Sequence, residues 1–117
     1  MNRVFVVQKQ HRWNKETQNF EPKFDLSAAE KFGELVFLLS PTAAPFRPDG
    51  IIAELKEKLA DYNADDSLLL VGNPILIGFT VAIAADASEG DVSLLQWSGK
   101  DNRYINVKAT NLFTFNP

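Results

Sequence analysis

Apolar residues along the chain gather into short dense runs whose spacing separates strands from helices. Leu68–Asp86, LLLVGNPILIGFTVAIAAD, is the densest of them. It predicts a short buried strand, a tight turn at Gly72-Asn73 and a helix with Pro74 at its first position, where the fixed φ suits a helix and the missing N–H would lack a partner anyway. Asn73 is a suitable N-cap, because its side-chain oxygen can accept a free first-turn N–H. The helix is apolar on every side, which predicts that protein surrounds it. At about twelve residues it is too short to cross a bilayer, which needs roughly twenty.

The other runs follow in order. Arg3–Gln10 contains the β-branched and aromatic VFVV, a strand pattern. A turn at Asn14-Lys15-Glu16-Thr17 and a return at Phe20–Asp25 predict a hairpin, with Pro22 placing the second arm at an edge. Ser27 and Glu30 have capping-box spacing, so a short helix ending near Gly33 is expected. Leu35–Leu39, LVFLL, predicts a strand buried on both faces. Ser40–Gly50 carries three prolines and predicts a loop. A helix then runs from Pro48 or Asp49 to about Tyr62, with Ile52, Leu55, Leu59 and Tyr62 on one stripe and Glu54 and Lys58 paired on the wet side. Ser88–Asp91 breaks the central helix. Val92–Trp97 and Arg103–Lys108 alternate around Ser98–Asp101 as a second hairpin, in which Trp97 becomes a partly buried cross-strand neighbour of Tyr104.

Strand, helix, strand, helix and strand between Leu35 and Trp97 predict parallel pairing with right-handed crossovers. The expected fold is therefore α/β, with α+β as the alternative: one domain over residues 1–117, a mixed sheet with a parallel β-α-β-α-β centre, antiparallel hairpins at both ends and packed helices. Strand order is left open.

Composition narrows the function classes. A net charge of −3 is too mild for a nucleic-acid coat or a strongly acidic mimic of DNA. The absence of cysteine excludes disulfides, thiolate metal sites and a cysteine nucleophile. MNRVFVVQKQ has no signal-peptide pattern, so a cytoplasmic location is expected and no membrane association.

The segments LVFLLSPTAAPF, ELKEKLADYNADDSLLLVGNP, AIAAD and LLQWSGKDNRYI resemble a group of small proteins of tailed bacteriophages and prophage-bearing bacteria. The resemblance runs from Val4 to Val107 and leaves out the tail after Ala109. It implies a phage-type accessory protein in the host bacterial cytoplasm. It implies no activity, so no functional residue is carried over.

Candidate chemistry is sparse. Gly72-Asn73-Pro74 could seat an anion or small ligand at a helix N-terminus, although the dinucleotide and phosphate-loop patterns are absent and Pro74 removes a donor. Asp61–Asp65 alternates oxygen ligands like the start of a calcium loop, but Asp66 and Gly72 stand where Gly and Glu are needed; a turn-rich helix end is the simpler reading. His11 is the single histidine, and no nucleophile elbow or metal-spaced pair occurs. Asp86, Glu89 and Asp91 are expected to be solvated. No catalytic residue, cofactor or metal is therefore assigned. The most suggestive surface is QKQHRWNKETQNF, which gathers Lys9, His11, Arg12, Trp13 and Lys15. Trp and Arg are favoured at protein-binding hot spots, and a basic–aromatic mixture can also hold single-stranded nucleic acid weakly. The expected function is non-enzymatic binding of a host or phage protein, with a small-ligand or nucleotide-binding domain using Gly72-Asn73-Pro74 as one alternative and weak single-stranded nucleic-acid binding by the 8–20 hairpin as another. Leu112, Phe113 and Phe115 are expected to pack on the domain or across a contact between copies.

Overall fold

A computed structural model describes residues 2–113. The strands are β1 (Arg3–Gln8), β2 (His11–Asn14), β3 (Asn19–Pro22), β4 (Glu34–Leu39), β5 (Ser67–Leu69), β6 (Val92–Ser98) and β7 (Arg103–Ala109); the α-helices are α1 (Pro48–Lys58) and α2 (Pro74–Ala87). A 3₁₀-helix covers Ser27–Phe32. The main sheet has the order β4-β1-β5-β6-β7, parallel except for β7. The α/β class and mixed sheet follow the pattern of the sequence.

VFVV in β1 is buried on both faces because it stands between β4 and β5. Its alternation splits the core into two layers. Phe5 and Val7 join Leu38, Leu55, Leu59, Leu68 and Leu76 under the two α-helices. Val4 and Val6 join Leu69, Leu95 and Tyr104 on the opposite face, where Ala29 of the 3₁₀-helix closes the layer. The connection from β1 to β4 therefore covers one face, and the two helical crossovers cover the other.

Several expectations are corrected. The VFVV strand does not pair with the Phe20 segment; it enters the parallel sheet, and the hairpin forms separately from β2 and β3. β4 is an edge strand rather than one buried on both faces, with Phe37 exposed. Ser27 forms no capping box; Asp25 Oδ1 instead accepts from Ser27 N at 2.9 Å. α1 ends at Lys58, so Leu59 and Tyr62 reach the core from the turn that follows. In α1 the buried positions are Ile51 and Leu55, the first one step from the expected Ile52.

The largest correction concerns α2. Protein does not surround it: Leu76, Thr80, Ala84 and Ala85 face the sheet, whereas Ile75 is 52% exposed and Gly78 and Ala82 face outward. A Cβ on Gly78 would meet nothing within 4 Å. A helix laid on one face of a sheet needs only one apolar stripe, and among the described residues no third layer covers this one. Asn73 does cap it, accepting from Ile75 N at 2.9 Å.

One organising contact escaped the sequence pattern. Arg3 and Asp66 tie the start of β1 to the start of β5, with Arg3 Nη2 2.8 Å from Asp66 Oδ2. Asp66 is 1% exposed and also accepts from Arg3 N, Arg3 Nε and Asn63 N. Hydrogen bonding to Asp66, opposed by burial and aided by Asp61, holds the Arg3 guanidinium above its ordinary range. Two members of the calcium-like stretch are engaged within the protein: Asp61 pairs with Arg3, and Asn63 Oδ1 accepts from Asp65 N.

Candidate functional site

The β2–β3 hairpin stands out from the sheet as an arm, and its packing is mainly between its own strands. The molecule measures 57 × 36 × 28 Å with a radius of gyration of 14.9 Å, against about 13 Å for a compact chain of this length. The arm's tip is built by Asn14, whose Oδ1 accepts from Glu16 N and Thr17 N, while Gln18 takes the left-handed conformation at φ 54°. At the root, Lys23 N donates to Gln10 O at 2.9 Å.

Register decides which side chains share a face. Trp13 lies opposite Phe20 and His11 opposite Pro22, and directly opposed residues of an antiparallel pair project to the same side. Trp13 meets Phe20 edge-to-face with centroids 5.1 Å apart, and His11 lies 6.4 Å from the same ring. This aromatic face is open: Trp13 is 52% and Phe20 68% exposed. Arg12 projects to the other face, where its Nε donates to Glu21 Oε1 at 2.8 Å and Asn14 Nδ2 donates to Glu21 Oε2 at 3.1 Å. The bonds from Asn14 and then Arg12 hold the Glu21 carboxyl below its ordinary range.

Of the predicted group, His11 and Trp13 are therefore brought together. Arg12 is turned away and paired, and Lys15 stands at the tip. Lys9 belongs to the root, its Nζ 5.4 Å from the centre of the Phe37 ring. Phe20 was missed as a site residue. The two-residue alternation of His11 and Trp13, continued across a tight turn, was the signal that could have found it.

The Gly72-Asn73 region lies at the other notable position. Between β1 and β5 the covering connections switch faces, and in open α/β sheets ligands bind beyond the strand C-termini at such a point. Here Gln8, itself buried, fills it. Its Nε2 donates to Ser40 O at 3.1 Å and Ala43 O at 3.2 Å, and its Oε1 accepts from Asn73 N at 3.0 Å. Gly72, at φ 135°, is required by closeness as well as conformation, since a Cβ there would stand 2.6 Å from Gln8 Cβ. The Asn73 and Ile75 amides are thus already engaged within the protein.

The end of the described chain is held through its backbone, with Leu112 N donating to Gly90 O at 3.2 Å. The Leu112 and Phe113 side chains are exposed rather than packed on the sheet. Phe115 lies outside the described residues. Among those residues, no helix is long and apolar enough to cross a membrane, and no group of three or more His, Asp or Glu could hold a metal ion.

No curated protein and no solved structure matches the chain. A family match covers nearly all of it, including both strands of the arm, the Gln8 region and β7. The chain belongs to the family described as Phage Pam3 gp32-like protein, whose model matches residues 2–111.

Proposed function

We propose that this phage-family protein is a non-enzymatic accessory factor that binds a host or phage protein in the bacterial cytoplasm through its β2–β3 arm. One observation carries the reading: Trp13, Phe20 and His11 form a preordered aromatic face on an arm that the core does not cover. Ordered, exposed aromatic side chains offer large contact area at low entropic cost, as binding hot spots do. The same register argues for a protein partner over single-stranded nucleic acid. Phosphate contact and base stacking act together along one strand, whereas Arg12 faces away from Trp13 and is neutralised by Glu21.

The test compares the wild type with a Trp13→Ala/Phe20→Ala variant in capture from a bacterial lysate, followed by affinity measurement on the retained protein. The expected result is one stoichiometric partner whose affinity falls by about thirtyfold or more in the variant, equivalent to roughly 2 kcal/mol. Thermal stability of the body should remain within about 1 kcal/mol, as for other exposed positions. Binding that survives both substitutions removes the arm from the interface. Binding that collapses steeply with salt would instead indicate phosphate contacts.

A further inference from the structure

We propose that the groove over the C-terminal ends of β5 and β6, on the face away from the α-helices, binds the planar base of a nucleoside-class ligand. The groove has a volume of about 620 Å³ and passes beside Leu70, Val71 and Gly72, within the ~300–1,000 Å³ typical of small-molecule sites. It opens beside the point where the covering connections change faces, the position that α/β sheets use for ligands.

Tyr104 carries the argument. It is 7% exposed, yet its hydroxyl has no hydrogen-bond partner among the described residues, and it is not sealed from the groove that its side chain lines. Tyr62 provides the contrast within the same protein. It is 2% exposed, and its hydroxyl donates to Asp66 O at 3.2 Å and accepts from Ser93 N at 3.4 Å. A buried tyrosine hydroxyl ordinarily finds such partners. The Tyr104 hydroxyl is instead left open beside the groove, free to pair with water or with a ligand seated there. Burial, and then the nearby Asp25 charge, raise the phenol above its ordinary range, and like any tyrosine it carries its proton at neutral pH.

The surrounding groups define the ligand. Trp97 is braced edge-to-face against Tyr104, with centroids 5.1 Å apart and planes at 71°, and its exposed surface forms one aromatic wall. Phe24 supplies another from the segment leading to the 3₁₀-helix. Base–aromatic stacking contributes about 1–3 kcal/mol per base. The Gln96 amide, with the part of the Gln10 amide and Asp25 carboxylate that their bonds to Gln8 and Ser27 leave over, adds both donors and acceptors, which suits the edge of a heteroaromatic base better than a hydrocarbon ring. The Asn73 and Ile75 amides are taken within the protein, so those N-terminal donors of α2 are withheld from a phosphate and the base is the recognised part.

The test uses the full chain carrying Trp13→Phe, which leaves Trp97 as the reporting indole and lies outside the groove. Adenosine, guanosine, cytidine, uridine and adenosine monophosphate are titrated separately, with fluorescence and amide chemical shifts recorded. The expected result is saturable quenching by at least one nucleoside below millimolar concentration, with shifts at Val71, Gly72 and Trp97. Tyr104→Phe should weaken that binding about tenfold, equivalent to 1.4 kcal/mol, without lowering the melting temperature. Phe24→Ala, at an exposed position, gives an independent second variant. Silence with all four nucleosides, affinity unchanged in both variants, or binding of the monophosphate alone would each overturn the proposal.

Discussion

The helices α1 and α2 lie on the same face of the same sheet, yet their sequences are written differently. α1 is amphipathic: Ile51 and Leu55 are buried, while Glu54, Lys56, Glu57 and Lys58 face water. α2 has no charged residue before Asp86, although it too buries only one side. Amphipathic patterning reports where a helix surface must go. The converse does not hold, because an apolar residue on the outer side can simply remain exposed. The apolar content of α2 thus exceeds what its packing requires, whereas that of α1 matches it.

The comparison can be broken most severely from the inside. Leu55→Ala and Leu76→Ala each delete a fully buried leucine, and each should cost about 2–5 kcal/mol in urea unfolding. Nearly equal losses would show that the inner stripes are equivalent; a much smaller loss at Leu76 would mean that α2 is only loosely docked. Gly78→Ala is the next test in size. With open space beside it, alanine should stabilise by up to about 1 kcal/mol through helix propensity. A lower unfolding midpoint would show that something covers this side of α2 in solution.

Smaller effects sharpen the outer surfaces. Glu54 and Lys58 form an i, i+4 pair at 2.7 Å, and Glu54→Ala should cost about 0.3–0.5 kcal/mol, less in high salt. Ala82→Lys, outward on α2, should change stability by no more than about 0.5 kcal/mol, whereas Ile75→Lys, in the first turn, should cost up to about 1 kcal/mol because a cation there opposes the helix dipole. They should raise solubility instead, measurable by precipitation. A several-fold larger loss from either lysine would return α2 to the buried helix that its sequence suggests.

What could be read from the chain was local. The Asn73 cap, the Glu54–Lys58 pair and the Trp97–Tyr104 neighbours depend on residues a few positions apart or facing across one hairpin, and periodicity exposes all three. What could not be read was the assignment of neighbours. VFVV fits a central strand as well as a hairpin arm, and only Arg3 reaching Asp66, 63 positions away, fixes β1 beside β5. LVFLL was indistinguishable from a fully covered strand because apolarity does not reveal a missing neighbour. At the arm, composition gathered one segment but not its two faces; register separates Arg12 from Trp13. Phe24, Trp97 and Tyr104 meet through tertiary folding, so no spacing in the sequence marks that groove.

Gln8 has a mechanical consequence for the arm. A single amide clasps the loop after β4 and the loop after β5, and Gln10 Nε2 in turn leans on its Oε1 at 3.3 Å. Sliding of the β4–β1 half of the sheet past the β5–β6 half would have to tear that clasp, so the sheet behaves as a stiff plate. The hairpin begins three residues later and is therefore a cantilever with a clamped root. Lys9–Gln10 and Lys23 are the two crossings between plate and beam. An insertion at either crossing should re-aim Trp13 and Phe20 while leaving the plate unchanged, so the direction in which the arm points is specified separately from the fold that carries it.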